Sequence, residues 1–261
     1  MVDTNINLNK ITGLTGNAMK IIAIIAMTCD HITMMFMPTD TPLQIVIYQL
    51  LRAFGRFTAI IMCYLAADGF HYTKNISKYM TRLLIFAIIS HFAFSFISSG
   101  NLIFAGVNNS YYTFQTSVIW SILLGVMTLY IYRNENIKLW LKYILISIFL
   151  ISSLFSDWNF IAIAYIFTAE IYRDDKNKKK LAFFIISLFA SVVPIIFGII
   201  SNPTLWYKNL FMLGVFPACL FLNCYNGTRG HTTQFSKWSF YIYYPVHLII
   251  IGLIYMFTIG Y

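Results

Sequence analysis

An acid and an imidazole stand side by side at Asp30-His31, inside the apolar run from Ile21 to Met37. A charge near the centre of a bilayer costs roughly 2.5–3.5 kcal/mol on insertion scales, so such a pair usually faces a bundle interior or a water-filled cavity. Imidazole titrates near neutrality and can accept and return a proton, which makes His31 the general-base candidate. Adjacent helical residues diverge by about 100° around the axis, so both need not touch one substrate. Asp30 then orients another basic group, Arg56 being one candidate, or keeps an imidazolium stable. The plainer alternative is an ion pair that only joins two helices.

Further residues could carry chemistry. Arg52 and Arg56 lie one helical turn apart on one face. They either snorkel to lipid phosphate or form a clamp for an anion or carbonyl, for which the planar guanidinium fork is suited. His247 falls near the centre of the last apolar run, in Tyr243-Tyr-Pro-Val-His247. There Pro245 removes a backbone donor and disfavours the helical conformation at Tyr244. A kink at this point frees a carbonyl close to His247, which is either a reacting group or a hydrogen-bonded core residue. Asp157-Trp158 opens the sixth apolar run, where an acid is a favourable cap. His91, alone in the third run, reads as glue between helices.

The elements that must position these residues are transmembrane helices. The chain has 261 residues, 59% hydrophobic and 10% charged, with mean hydropathy +0.72. Soluble domains average about 25% charged residues. The fold class expected is all-α: a polytopic membrane bundle forming one domain over residues 1–261. Spans of ~20 apolar residues are expected near 18–37, 53–72, 79–98, 113–132, 138–154, 158–173, 181–200, 207–224 and 238–259, with Leu43–Leu51 as a short interfacial helix. The first run lacks an Ala-x-Ala exit and reads as a retained anchor rather than a cleaved signal.

Orientation follows from charge. With the N-terminus in the cytoplasm, 15 of the 18 Lys and Arg residues fall at the inner face, as the positive-inside rule requires. The outer face keeps Arg52, Arg56 and Lys208. This is the expectation for a multi-pass membrane protein with a cytoplasmic N-terminus, and it accounts for the net charge of +9 without nucleic-acid binding. Asp68, three turns from Arg56, belongs to the inner mouth with His71, Lys74, Lys78 and Arg82. Most of those cations enforce topology, though a phosphorylated cytosolic ligand would be drawn to them.

Cys29, Cys63, Cys219 and Cys224 lie in or beside apolar runs without zinc-ligand spacing, so neither metal site nor disulfide is expected. No P-loop, GxGxxG, GxSxG or HExxH sequence occurs, which argues against an ATP-driven pump on this chain. A proton-coupled small-molecule transporter using Asp30, His31 and His247 as a relay stands as the alternative to an enzyme. A third reading is an assembly factor whose buried polar groups only hold helices together.

Blocks of the chain resemble the TraX family of conjugative pilin N-acetylases. They are Thr15-Gly-Asn-Ala-Met-Lys20 with Met27-Thr-Cys-Asp30-His31; Gly55-Arg56 with Asp68-Gly-Phe-His71-Tyr-Thr-Lys-Asn75 and Lys78-Tyr79…Arg82; and Tyr225-Asn-Gly227…Gly230 with Phe240-Tyr-Ile-Tyr-Tyr244-Pro-Val-His247-Leu248. Each block is weak alone; the ordered set, covering nearly the full chain, is specific. The resemblance implies a wider class of transmembrane acyltransferases that deliver an acyl group from cytosolic acyl-CoA to an acceptor at the outer side. It implies His31, Asp30 and Arg56 as the catalytic set. Acetyl-CoA then docks with its phosphates near Lys74, Lys78, Arg82 and Arg229. Arg52, Asp157, Trp158, Tyr244 and His247 are expected to contact a peptide, amino-sugar or glycan acceptor. The remaining partner is membrane lipid.

Overall fold

The computed structural model describes residues 13–103, 105–107, 111–231 and 233–260. Among them nine α-helices run back and forth between two ends of a bundle: α1 Gly16–Phe36, α2 Pro42–Tyr72, α3 Ile76–Ser99, α4 Val118–Arg133, α5 Leu139–Ser153, α6 Asn159–Ile171, α7 Lys176–Ser201, α8 Val215–Phe221 and α9 Gln234–Thr258. Two antiparallel strands of three residues each, β1 Ala105–Val107 and β2 Tyr111–Thr113, interrupt the passage from α3 to α4. Among the described residues six segments are long and apolar enough to cross a membrane, and α4, α5 and α6 are shorter apolar helices. The protein is a multi-pass membrane protein.

Local chemistry sets the helix starts. The Thr15 hydroxyl caps α1, Asn75 caps α3 and Asp175 caps α7, each accepting from a backbone N–H of the first turn. α2 opens with a full capping box: Thr41 accepts from the Gln44 N–H, and the Gln44 side chain accepts from the Thr41 N–H. Pro42 follows at the first helical position, where its missing donor costs nothing. The box begins one unbroken helix of 31 residues. The expected interfacial helix Leu43–Leu51 is therefore the first third of α2, because no breaker lies between it and the second span.

The eighth expected span is the irregular one. Pro203–Cys224 is built from short 3-10 turns flanking α8, which is only seven residues long. Its turn at Leu210–Gly214 packs on α2 so closely that a Cβ at Gly214 would lie 2.2 Å from the Ala53 carbonyl oxygen. The same closeness recurs at the seam of α1 and α2, where a Cβ at Gly55 would meet Asp30 at 2.4 Å. Absence of a side chain at these two positions lets three elements converge.

α4 is the central helix: Ile119, Ile122, Leu123, Val126 and Leu129 are all buried. α5, in contrast, buries only Ser153 and presents Ile144, Ile148 and Ile151 outward. In lipid those faces need no cover, and close packing and hydrogen bonds hold the helices together. At 16 and 13 residues, α4 and α6 extend about 24 and 20 Å at 1.5 Å per residue, less than the ~30 Å hydrocarbon layer. The segments leading into them run side by side, with Thr116 N–H donating to the Phe155 carbonyl at 2.6 Å and Asp157 N–H to the Thr116 carbonyl at 3.1 Å. Non-helical backbone at such depth is tolerated where protein buries it or a cavity adjoins it.

The two ends differ in charge. The end that holds the α1 N-terminus carries Lys20, Lys74, Lys78, Arg82, Arg133, Lys138, Lys142, Arg173, the lysines of α7 and Arg229. Lys10 and the side chain of Lys237, assigned to the same end by charge sorting, lie outside the described residues. Arg52, Arg56 and Lys208 belong to the other half.

Candidate functional site

The site begins where α1 crosses α2. Asp30, 7% exposed, takes the Arg56 Nη2 in a hydrogen bond at 2.7 Å on Oδ2. Arg52 Nη1 lies 2.9 Å from Oδ1 as an ion pair, at an angle that leaves Oδ1 without a hydrogen bond. Arg56 also donates from Nε to the Arg52 carbonyl at 3.3 Å. Both guanidinium groups are roofed by Phe211, centred 4.6 Å from Arg52 and 5.1 Å from Arg56, and Trp158 lies 5.7 Å from Arg56. Phe211 is held there because its N–H donates to the Gln49 side-chain oxygen at 2.8 Å. Of the two readings of these arginines, the structure shows them turned inward on a carboxylate, not outward to lipid.

His31 diverges from Asp30 as helical geometry requires. Its Nδ1 meets Nε2 of His247 at 3.1 Å, and His247 Nδ1 meets the Tyr243 carbonyl at 2.9 Å. The Tyr243 ring stacks on His247 with 8° between planes and 5.1 Å between centroids, and its hydroxyl bonds Thr28 at 2.7 Å. The Tyr244 ring meets His247 edge-on at 5.7 Å. His247 and Thr28 line a cavity of ≈ 460 Å³ between α1 and α9, otherwise walled by the rings of Phe36 and Tyr243 and by aliphatic side chains such as Ile32, Val246 and Ile250. His31 is not among the residues that line this cavity; His247, which it contacts, is.

Asp157 does not cap α6. The N-cap position is Trp158, without a side-chain cap bond. Asp157 is exposed, and the charges of Arg56, Asp30 and Arg52 bear on it. The structure thus brings Asp30, His31, Arg52, Arg56, Trp158, Tyr244 and His247 into one region, with Asp157 in electrostatic range. Phe211, Tyr243 and Thr28 complete it. The sequence signals for those three were faint: one aromatic in an irregular span, one tyrosine in a run of them, and one threonine inside the Asp30 motif. His91 packs on Phe114 of the loop before α4, 5.0 Å between centroids, rather than bridging two helices.

The opposite end holds a second polar network. Glu170, 2% exposed, accepts from Arg173 Nε at 2.9 Å and pairs with Arg133 and with His71 Nδ1 at 3.0 Å. Asp68 accepts from Arg173 at 2.8 Å and from the Tyr225 hydroxyl at 2.8 Å. Asp68 and His71 therefore serve the closure of that end and stand apart from Arg56. Glu170 was legible as a carboxylate ending an apolar run three residues before Arg173.

Beside this network lie cations with no ion pair among the described residues. Arg82 sits over the rings of Tyr79 and Trp238 at 5.8 and 5.9 Å, its Nε buried without a hydrogen bond. The charges of Arg82 and Arg229 both bear on Tyr241, and that of Arg229 on Lys20. Arg229 and Lys20 belong to segments joined by backbone: Gly16 and Asn17 N–H donate to the carbonyls of Thr228 and Arg229 at 2.8 and 3.2 Å. Lys74 and Lys78 are exposed at the turn into α3.

The family model described as TraX protein matches residues 15–255. A probable fimbrial assembly protein FimC, serogroup H1, of Dichelobacter nodosus is 28% identical over 243 residues, covering 89% of this chain and 92% of that protein. The uncharacterized protein RP591 of Rickettsia prowazekii (strain Madrid E) is 26% identical over 180 residues, 67% of this chain and 62% of its own length. No solved structure matches.

Proposed function

The chain belongs to the TraX family, and from that premise we propose that it is a membrane-embedded acetyltransferase. It takes an acetyl group from cytosolic acetyl-CoA and passes it to an amine, or to a hydroxyl, of an acceptor at the outer side of a bacterial cytoplasmic membrane, with the N-terminus in the cytoplasm. The observation that carries the reading is the His31–His247 hydrogen bond at 3.1 Å beside the Asp30–Arg52–Arg56 cluster. A base and a fixed positive field, within one apolar bundle, are what acyl transfer from a thioester needs.

His31 removes the proton from the attacking nitrogen or oxygen as the bond to the thioester carbonyl carbon forms. Help of that kind is worth ~10²–10⁴-fold. Negative charge gathers on the carbonyl oxygen, where a positioned donor is worth about 3 kcal/mol. Arg56 supplies it from Nη1, since its Nη2 and Nε are already committed. The carbon–sulfur bond then breaks and the thiolate leaves with the proton. Lys20, Arg82 and Arg229 hold the phosphates of the donor at the basic end, with Lys74 and Lys78 as outlying charges. Asp157, Trp158, Tyr244 and Arg52 face the acceptor. The fimbrial assembly name of the Dichelobacter relative favours a fimbrial subunit's amine as acceptor over an amino sugar or a glycan hydroxyl.

Sealed vesicles of known orientation, given labelled acetyl-CoA on one side, test the proposal. Label transfer or slow thioester hydrolysis is expected only with donor on the basic face, and His31→Ala is expected to abolish it at unchanged protein yield. Equal turnover with donor at the opposite face alone would overturn it. The histidine contact also suits a proton relay; pH-dependent solute uptake without thioester turnover would favour that transporter reading.

A further inference from the structure

We infer that His247 is a positioning residue for His31, one that selects its tautomer and carries its charge; this rests on the acetyltransferase reading for its chemical use. The argument starts from an atom that can only accept. The Tyr243 carbonyl oxygen has no proton to give, so His247 Nδ1, at 2.9 Å, must donate. A neutral His247 then has its lone pair on Nε2. That lone pair faces His31 Nδ1 at 3.1 Å, so His31 donates from Nδ1 and is left with its basic lone pair on Nε2. Both rings are thereby held as Nδ1–H tautomers, the minor form of a free histidine side chain in water. The Nε2 of His31 points away from His247 and is the nitrogen that takes a proton.

The same contact gives the proton a second position. When His31 Nε2 binds the proton of the acceptor, the Nδ1 proton of His31 can move to His247 Nε2. Two N–H bonds form, one acceptor bond and one N–H bond break, and the positive charge ends on His247. That ring is placed to carry it: its Nδ1–H stays on the Tyr243 carbonyl, and the Tyr243 face lies parallel to it. A ring face attracts a cation. The return of both protons delivers one from His31 Nε2 to the leaving thiolate. The charged and titratable groups around the pair are Asp30 on α1, Arg52 and Arg56 on α2, and Tyr243 and Tyr244 on α9. Asp30 is occupied by the two arginines, so it does not compete with His247 for the His31 proton.

The chain has five histidines, few enough for nitrogen-15 spectra of the histidine-labelled full-length protein in bilayers, assigned by substitution. At neutral pH, His31 and His247 are each expected to show a protonated Nδ1 and a bare Nε2. In His247→Phe, His31 should revert to the Nε2–H form; in His247→Gln, whose amide oxygen can accept from His31, the Nδ1–H form should persist. With acetyl-CoA, His247→Phe should lower kcat by 10-fold or more at unchanged KM and displace the pH–rate profile, and His247→Gln should restore part of kcat. A wild-type His31 protonated on Nε2, or a His247→Phe variant with full kcat, overturns the inference. Nδ1–H tautomers in a protein that turns over no thioester would instead refute the enzyme reading and leave the histidine pairing standing.

Discussion

The Asp30 carboxylate and the Arg56 guanidinium meet at 2.7 Å across the seam of α1 and α2, both less than a tenth exposed. Gly55, the residue before Arg56, has no side chain to hold them apart. Removing one partner of a buried pair strands the other charge, at a cost of about 3–5 kcal/mol. Arg56→Ala is expected to lower thermal stability in detergent by that order. Arg56→Lys should recover part of the stability but little transfer, because a point charge cannot replace the fork that reaches Asp30 and the Arg52 carbonyl together. Unfolding curves and label transfer on the two variants check this; an Arg56→Ala protein as stable as the parent would refute it.

At the basic end, Lys20→Gln, Arg82→Gln and Arg229→Gln should each raise the KM for acetyl-CoA several-fold with kcat little changed, and the effect should shrink at high salt. Lys176→Gln, at the start of α7, is the control and should leave KM unaltered. Initial-rate kinetics at two ionic strengths separate these outcomes.

Glu170 is the buried counter-charge for Arg133, Arg173 and His71. Glu170→Gln keeps the shape and removes the charge, and is expected to cost about 3–5 kcal/mol as for a broken buried pair. The loss should appear as a lower melting temperature and as faster proteolysis in the connections at that end. Equal stability would mean that the three cations are satisfied elsewhere.

Asp175, partly exposed before α7, has its carboxyl held below the usual carboxylate range, first by the Lys178 backbone N–H and then by the Lys178 ammonium. A lowered folded value means that the stabilisation is present above the ordinary carboxylate pKa and is lost as pH falls through the lowered one. Backbone amides of Asn177 and Lys178 should therefore exchange faster below that range, and Asp175→Asn should remove most of the pH dependence. Hydrogen exchange across pH 2 to 6 measures it.

Much of the architecture was legible from hydropathy and charge. The Ile21–Met37 run became α1, the lysines between residues 173 and 181 marked an α7 start, and Arg52, Arg56 and Lys208 separated from the other described cations. Boundaries failed where hydropathy dips without a break. α2 runs on through Leu51 because a capping box at Thr41 starts it, and a polar box contributes nothing to an apolar average. At the site, divergence of Asp30 from His31 was foreseeable from the turn of one helix. Pro245 was expected to free a carbonyl close to His247; the carbonyl that His247 uses is that of Tyr243, not the Tyr241 carbonyl that the missing Pro245 donor leaves free. Phe211 could not be placed, since its position depends on Gln49 of another helix.

The order of residues by itself determined a membrane bundle, its alternating course and the sorting of its charges, because transfer into lipid is governed segment by segment and needs no partner. It also set which ionisable groups would have to be buried. Only the tertiary structure decided that His31 pairs with His247 rather than Asp30, that Asp30 belongs to two arginines, and that Glu170 closes the other end. Those choices depend on side chains from helices far apart in the chain reaching one point within about 3 Å, where a hydrogen bond exists or does not; no local average along a chain contains that distance.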